Sequence, residues 1–478
     1  MFSPSSSVGR LIIVSNRLPV TVTEKDNLLS LSRSTGGLAT ALSAVFKQSD
    51  ALWVGWSGFR RALTHRELDS LDFPKGLIPV NLTTTQVKGY RDRAFNETLY
   101  PLFLHHKPSD PCDDKDWRTL IHVMRRFAAI IRRIARPEDV IWVHDTQLAL
   151  LPHYLREAGV TNKIGFFFHI PFPQTSYLRQ LPVASLLLES LNQTDLLGFQ
   201  VRQDARHFKE SYMRVHPGKP IHPVVRTFPI GVDFDEYHQA VTLPAVQNYL
   251  QDAATIAAGR KVIFSMSRLD FTKGIVDQLH AVEMFLEKQP AKVRQKYLYT
   301  LVVAPSREDV VKNQQCKQDI ENTVTRINHR FGTKSLQPVH YIYRALGFEE
   351  LNAWYQLADT LLITPRLDGM NLVAKEYIAA RHDDSGMLVL SKTIGAARQL
   401  NHAVLVSADC IPEIAAGLEQ AFVMGEAERR QRWAVMRANV RQEDIFWWTR
   451  NFIQALEDLG QEGMHWTPKL RPLTPATS

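Results

Sequence analysis

Two carboxylates, Asp368 and Glu376, stand eight residues apart in TPRLDGMNLVAKEY, directly after the apolar run DTLLI. That is a little over two helical turns, so both can project from one face of a helix that begins near Gly369. The free N–H groups of Gly369, Met370, Asn371 and Leu372 would then point into the same space. A carboxylate inside such a helix can accept both hydroxyls of a ribose, and one at its tip can meet a sugar hydroxyl. The plainer alternative makes Asp368 an N-cap and Glu376 a solvated helix residue.

Other polar residues follow other apolar runs. SRLDFTKG sets Arg268 and Lys273 just past one of them. Two cations there suit a diphosphate whose charge grows as it leaves; a surface ion pair with Asp270 would use them equally well. APSRED places Arg307 likewise, for a second anion or for its neighbours Glu308 and Asp309. Near the start, Asn16 and Arg17 follow RLIIV, and Gly36 and Gly37 open GGLATALSAVF. A double glycine at a helix start lets a phosphate approach free N–H groups, or simply makes a tight loop. His144 and Asp145 follow VIWV; His169 follows KIGFFF, with Pro171 and Pro173 stiffening the next turn. No GxxxxGK[ST] is present and no full GxGxxG follows the first strand, against a nucleotide triphosphatase or an ordinary NAD enzyme.

The elements that must hold these residues alternate. RLIIVSN, ALWVGWSG, EDVIWVHD, KIGFFFHIPFP, DLLGFQ and VRTFPIGVD read as strands with helical stretches between them. A second series, RKVIFSMSRLD, YLYTLVVAPS, PVHYIYRAL, DTLLITP, GMLVLS and AVLVS, repeats the pattern. Such alternation predicts an α/β chain with two Rossmann-like domains built on parallel sheets. The expected division is 1–238, then 239–445, with the boundary near Phe234 to Val241. Ligands in open parallel sheets sit beyond the carboxyl ends of the strands, so the active site belongs in the interdomain cleft.

Composition narrows the classes. The chain has 478 residues, too many for one core, with 45% hydrophobic and 22% charged residues, as in soluble globular proteins. No apolar run is long enough to span a bilayer and MFSPSSSVGR lacks the pattern of a signal peptide. Three scattered cysteines predict no disulfide framework and no zinc site, as in a reducing cytoplasm. The net charge of +8 suits anionic small substrates. The densest basic stretch, RRFAAIIRRIARPED, has its apolar residues at helical spacing and reads as one solvated helix face. No basic stripe with interleaved aromatics favours nucleic acid.

The ordered blocks SNR, GGLATAL, WVGWSG, HD, IGFFFHIPFP, DLLGFQ, RLDFTKG, APSRED and DGMNLVAKEY together resemble the trehalose-6-phosphate synthases, over nearly the whole chain. The resemblance implies a retaining glycosyltransferase of the GT-B type. It would move glucose from a nucleotide diphosphate sugar, usually UDP-glucose, to glucose 6-phosphate, giving trehalose 6-phosphate. On matching positions it implies Arg268 and Lys273 on the diphosphate with Gly37 against it, and Glu376 on the ribose. Asp368 and the backbone after it would hold the transferred glucose, His169 would touch that glucose near its 6-hydroxyl, and Asp145 would sit by the acceptor. Arg17 and Arg307 would take the acceptor phosphate, with Arg91 and Tyr100 beside it. It implies no metal and no cofactor, front-face attack without a covalent intermediate, a cytoplasmic homo-oligomer, and an N-terminal half completed by a C-terminal helix within 446–478.

The chain departs from the family pattern in three places. HDTQL stands for HDYHL. In YRDRAFNETLYP, Arg91 and Tyr100 replace a Tyr and a Trp, and Phe95 replaces a Ser. RLDGMNLV stands for LRDGMNLV, which displaces Arg366 by one position. The first two changes fall towards the acceptor, which keeps open a related transferase with another phosphorylated acceptor, of the glucosylglycerol-phosphate synthase type. An inactive regulatory member of the fold would be expected to lose the cations or Glu376, and this chain keeps both.

Overall fold

Apolar runs without polar alternation are the mark of strands covered on both faces, and here they build two parallel sheets. The computed structural model describes residues 9–459, apart from 27, 34–36, 48, 109, 309 and 334. The first series comprises β1 (Leu11–Arg17), β2 (Val20–Lys25), β3 (Leu28–Arg33), β4 (Leu52–Trp56), β5 (Leu77–Val80), β6 (Val140–His144), β7 (Ile164–Phe167), β8 (Leu196–Phe199) and β9 (Val224–Thr227). Among the described residues, all but β2 and β3 join one sheet in the order β5-β4-β1-β6-β7-β8-β9. The second series comprises β10 (Lys261–Arg268), β11 (Tyr297–Ala304), β12 (Val339–Ile342), β13 (Thr360–Ile363), β14 (Met387–Ser391) and β15 (Val404–Val406), in the order β12-β11-β10-β13-β14-β15.

In each sheet the order reverses beside the first strand of its series, and that switch point is where a crevice opens beyond the carboxyl ends. β1 and β6 flank it in one sheet, β10 and β13 in the other. Arg17, Asp145, Arg268 and Asp368 all lie at or just after those strands. The fold is therefore the expected α/β pair of Rossmann-like sheets.

Every strand expected from the sequence is present. The antiparallel hairpin β2–β3 and the short β5 were not expected. The basic stretch lies on the helix Asp114–Ile134, which buries Leu120, Val123, Met124, Phe127 and Ile131 and leaves Arg125, Arg126, Arg132 and Arg133 in solvent. Near its end the chain returns to the first sheet. The helix Ile445–Glu457 sets the rings of Trp448 and Phe452 at 4.7 and 4.6 Å from Trp142 of β6. The rest of the expected terminal helix, from 460 to 478, lies outside the described residues. No helix among the described residues is long and apolar enough to cross a membrane.

Candidate active site

The corner after β13 differs from its sequence reading. The helix begins at Leu372, three residues later than expected, because Asn371 takes a left-handed conformation (φ 64°) and breaks the path. Asp368 and Glu376 therefore do not share a helical face. Asp368 lies in the loop, where Oδ1 accepts the Gly369 N–H at 3.0 Å and Oδ2 accepts the Asn371 side-chain amide at 3.2 Å. The loop is held from behind, since Gly395 N–H donates to the Gly369 carbonyl and Ala396 N–H to that of Met370. The N–H groups of Met370, Asn371 and Leu372 donate to no acceptor among the described residues. They form an anion-seeking helix start.

Lys273 faces that start. Its Nζ lies 2.9 Å from Asp368 Oδ2, with both side chains mostly buried. The turn bearing Lys273 is capped by Asp270, whose Oδ1 accepts from the backbone and hydroxyl of Thr272. Arg268, at the end of β10, makes no ion pair among the described residues and is exposed. Although it reaches solvent, the protein around it strips part of the water from its charge; Tyr100, Asp270, Asp368 and Asp145 outweigh that and raise its pKa. Asp270 is 2% exposed, so the surface pair entertained for it does not form. Burial would raise its pKa, yet Arg307, Lys273 and Arg268 hold it at about 2. Glu376 is buried and accepts hydrogen bonds from Tyr355, at 2.8 Å, and Tyr237. Burial raises its pKa above the ordinary carboxylate value.

The facing wall carries His169 and Asp145. Gly369 lies so near that a Cβ there would fall 1.9 Å from the His169 carbonyl oxygen, so only glycine allows the two walls to meet. Asp145 has φ 73° and ψ 164°, a region that residues with a Cβ almost never enter. The strain is held by its own N–H on the Phe167 carbonyl and by Thr146 and His169 N–H groups on its carboxylate. Burial raises the Asp145 pKa, and Arg268 partly offsets this. His169 is half-buried, and burial lowers its pKa to about 3, so the ring is neutral.

Further along the same crevice, at the end of β1, Arg17 and Arg91 both lie over the Trp56 ring, at 5.1 and 5.7 Å. Arg17 donates to Thr21 Oγ1 at 2.8 Å, while its Nε is buried without a partner. Burial, then the nearby Arg91, lowers its pKa to about 10. Gly58 makes room for it: a Cβ there would fall 2.3 Å from the guanidinium. Arg91 pairs with Asp92 at 3.0 Å. Tyr100 is not an open wall of this space, because its hydroxyl donates to Asp270 Oδ2 at 2.8 Å. Arg307 lies 3.8 Å over the Tyr100 ring and 3.5 Å from the same carboxylate oxygen. It does not pair with Glu308, which accepts from Tyr343; Asp309, the other neighbour considered from sequence, lies outside the described residues.

Two further positions are settled. Arg366, the displaced arginine, pairs with Asp277 at 2.9 Å on the surface. Gly37 opens the helix Gly37–Lys47, while Gly36 lies outside the described residues. Sequence reading missed Asp204 and His207 on the helix Arg202–Val215. Asp204 accepts the Phe172 N–H and His207 Nδ1 meets the Phe172 carbonyl at 3.0 Å, which fixes the proline loop behind His169. Their i, i+3 spacing was visible in the sequence, but their target was not. Lys375 was also missed, and its burial follows only from packing against the segment after β9.

No group of three or more His, Cys, Asp or Glu among the described residues is arranged to hold a metal ion. The site thus combines a cationic corner with free N–H groups, a strained carboxylate opposite, and a second cationic pair over Trp56.

Comparison with known proteins points the same way. Residues 9–458 match glycosyltransferase family 20. The bifunctional trehalose-6-phosphate synthase/phosphatase of Thermoproteus tenax is 36% identical over 467 residues, covering 94% of this chain and 63% of that protein. The chain spans less than two thirds of the length of two curated relatives it matches, at 63% and 62%. A structure from E. coli bound with UDP-2-fluoro glucose superposes with a TM-score of 0.83, at 31% identity over 94% of this chain and 99% of that one. The UDP-forming alpha,alpha-trehalose-phosphate synthase of Burkholderia xenovorans, in complex with glucose-6-phosphate, gives 0.84, at 32% identity over 94% and 100%.

Proposed function

The chain belongs to glycosyltransferase family 20, and from that premise we propose that it transfers glucose from UDP-glucose to glucose 6-phosphate with retention, forming trehalose 6-phosphate. The observation that carries this reading is the corner where Arg268, Lys273 and the free N–H groups of Met370 to Leu372 converge, opposite His169.

In this reading the diphosphate lies on Arg268 and Lys273 against the helix start, with Gly37 against it. Positive charge and oriented N–H groups stabilise the leaving phosphate as its charge grows, and no metal is needed for that task. Lys273 would exchange its bond to Asp368 for the phosphate and free that carboxylate for a sugar hydroxyl. Glu376, held by two tyrosines, receives the ribose. Asp145 is oriented by the backbone towards the acceptor, which attacks from the face the nucleotide leaves while a phosphate oxygen takes its proton. Arg17 and Arg91, stacked over Trp56, and Arg307 receive the acceptor phosphate. Residues 1–238 with the terminal helix would carry the acceptor and 239–445 the donor. The three cysteines are free, which suits a cytoplasmic enzyme, and we place it there as a homo-oligomer.

The deciding experiment incubates the protein with UDP-glucose and glucose 6-phosphate and looks for UDP and a non-reducing disaccharide phosphate. Absence of both products, with other nucleotide sugars failing as well, would sink the reading. A second reading, transfer to a smaller phosphorylated acceptor such as glycerol 3-phosphate, is favoured by Tyr100 and Arg307 both being drawn onto Asp270. An acceptor screen separates the two, since a clear preference for glucose 6-phosphate removes the second.

A further inference from the structure

His144 ends β6 and is fully buried, with its Nδ1 3.1 Å from His169 Nε2. Its other nitrogen, Nε2, is sealed from solvent and has no partner. The rings of Trp142 and Trp448 pack on His144 at 4.5 and 6.1 Å, and the indole N–H of each is also buried without an acceptor. His169 makes no other ring hydrogen bond among the described residues, and its Nδ1 is not among the sealed atoms. That nitrogen is the one left for a ligand in the cleft.

Both imidazoles are neutral, because burial lowers the pKa of each far below the ordinary value. A single proton therefore lies between the facing nitrogens, in one of two arrangements. If His169 Nε2–H donates, the proton of His144 sits on Nε2, a third buried N–H in a box that already holds two without acceptors. If His144 Nδ1–H donates, its Nε2 is a bare lone pair and no further N–H is buried there. Buried N–H groups without partners are rarer than under-used acceptors, so the second arrangement is favoured. His169 then carries its own proton on Nδ1.

We infer that His144 is a positioning residue that fixes His169 as the Nδ1–H tautomer, so that His169 meets the sugar as a neutral hydrogen-bond donor to a hydroxyl oxygen. The sugar's part rests on the reading of this cleft as a glucose-transfer site; the tautomer does not.

The test is nitrogen NMR of the full chain labelled in histidine, with kinetics of two variants. The expected wild-type spectrum has His169 protonated on Nδ1 and bare on Nε2. His144→Asn keeps an amide N–H near the position of Nδ1 and should retain that pattern, with kcat/KM within about threefold of wild type. His144→Leu removes the donor: His169 should become a tautomer mixture, and kcat/KM should fall about tenfold, the scale of one neutral hydrogen bond. A wild-type His169 protonated on Nε2, or His144→Leu with the wild-type pattern and turnover, overturns the proposal. If His144→Leu does not fold, the wild-type spectrum still decides. Correct tautomers in a protein that transfers no sugar would leave the positioning role standing and remove the glucose reading.

Discussion

The Tyr100 hydroxyl donates to Asp270 Oδ2 across 170 residues of chain at 2.8 Å, and so ties the segment YRDRAFNETLYP to the turn that carries Lys273. Tyr100 is 3% exposed and Asp270 2%. Hydrogen bonds from a buried hydroxyl to a charged group contribute about 1.5–3 kcal/mol. Tyr100→Phe should therefore lower stability by about 2 kcal/mol in urea titrations. It should also raise the donor KM, because Asp270 orients the Lys273 turn. A change confined to acceptor KM would mean that Tyr100 serves only the acceptor.

Arg268 and Lys273 separate by what each leaves behind. Arg268 has no ion-pair partner among the described residues, although it helps to hold Asp270 charged, so Arg268→Ala should lower the melting temperature less than Lys273→Ala while turnover falls about 10²–10³-fold, as when an oxyanion donor is removed. Lys273→Ala should lose turnover similarly and also perturb the donor corner, because Asp368 loses the cation 2.9 Å away. Steady-state kinetics with thermal melts read both effects. Unchanged turnover in either variant would displace the leaving group from this corner.

Much of this arrangement was legible in the sequence. Apolar runs such as VIWV and VIFSM mark buried parallel strands, and the rule that ligands sit beyond their carboxyl ends selected Asp145, Arg268 and Asp368 without any coordinates. What was not legible depends on packing between distant segments. Nothing near Asp145 announces a φ of 73°, which is imposed by the Phe167 carbonyl and the His169 N–H. Arg307 looked towards its neighbours in APSRED, yet it pairs with Asp270, brought beside it by the parallel strands β10 and β11. The late helix start at Leu372 follows from the left-handed Asn371, whose loop is fastened by Gly395 and Ala396.

Glu376→Gln tests the ribose site. The carboxylate accepts from Tyr355 and Tyr237, and a glutamine offers one oxygen and an N–H₂ that needs an acceptor of its own. Donor affinity measured by calorimetry should fall about tenfold or more, whereas turnover at saturating donor should change little. A wild-type affinity would remove Glu376 from the nucleotide site.

Lys375, beside Glu376 on the same helix, gives the pH prediction. Its side chain is fully buried, and Nζ donates to the Ile230 carbonyl at 2.5 Å. That carbonyl belongs to the segment after β9, which also meets the start of the helix Ile445–Glu457, where Ile445 N–H donates to Val232. Burial lowers the Lys375 pKa from 10.5 to about 7, with Glu443 acting the other way. Between those values the unfolded chain holds a proton that the folded chain has released. Stability therefore rises with pH across that window, and the penalty for burying the charge is complete below about pH 7. Lys375→Met removes the titrating group, so its stability difference from wild type should change with pH. The variant should be relatively more stable at pH 6. At pH 9 that advantage should be much smaller, because the buried amine of the wild type is then neutral and much of the penalty has gone. Urea midpoints of the two proteins at both pH values read the difference directly, and parallel shifts would mean that Lys375 keeps an ordinary lysine pKa in the fold.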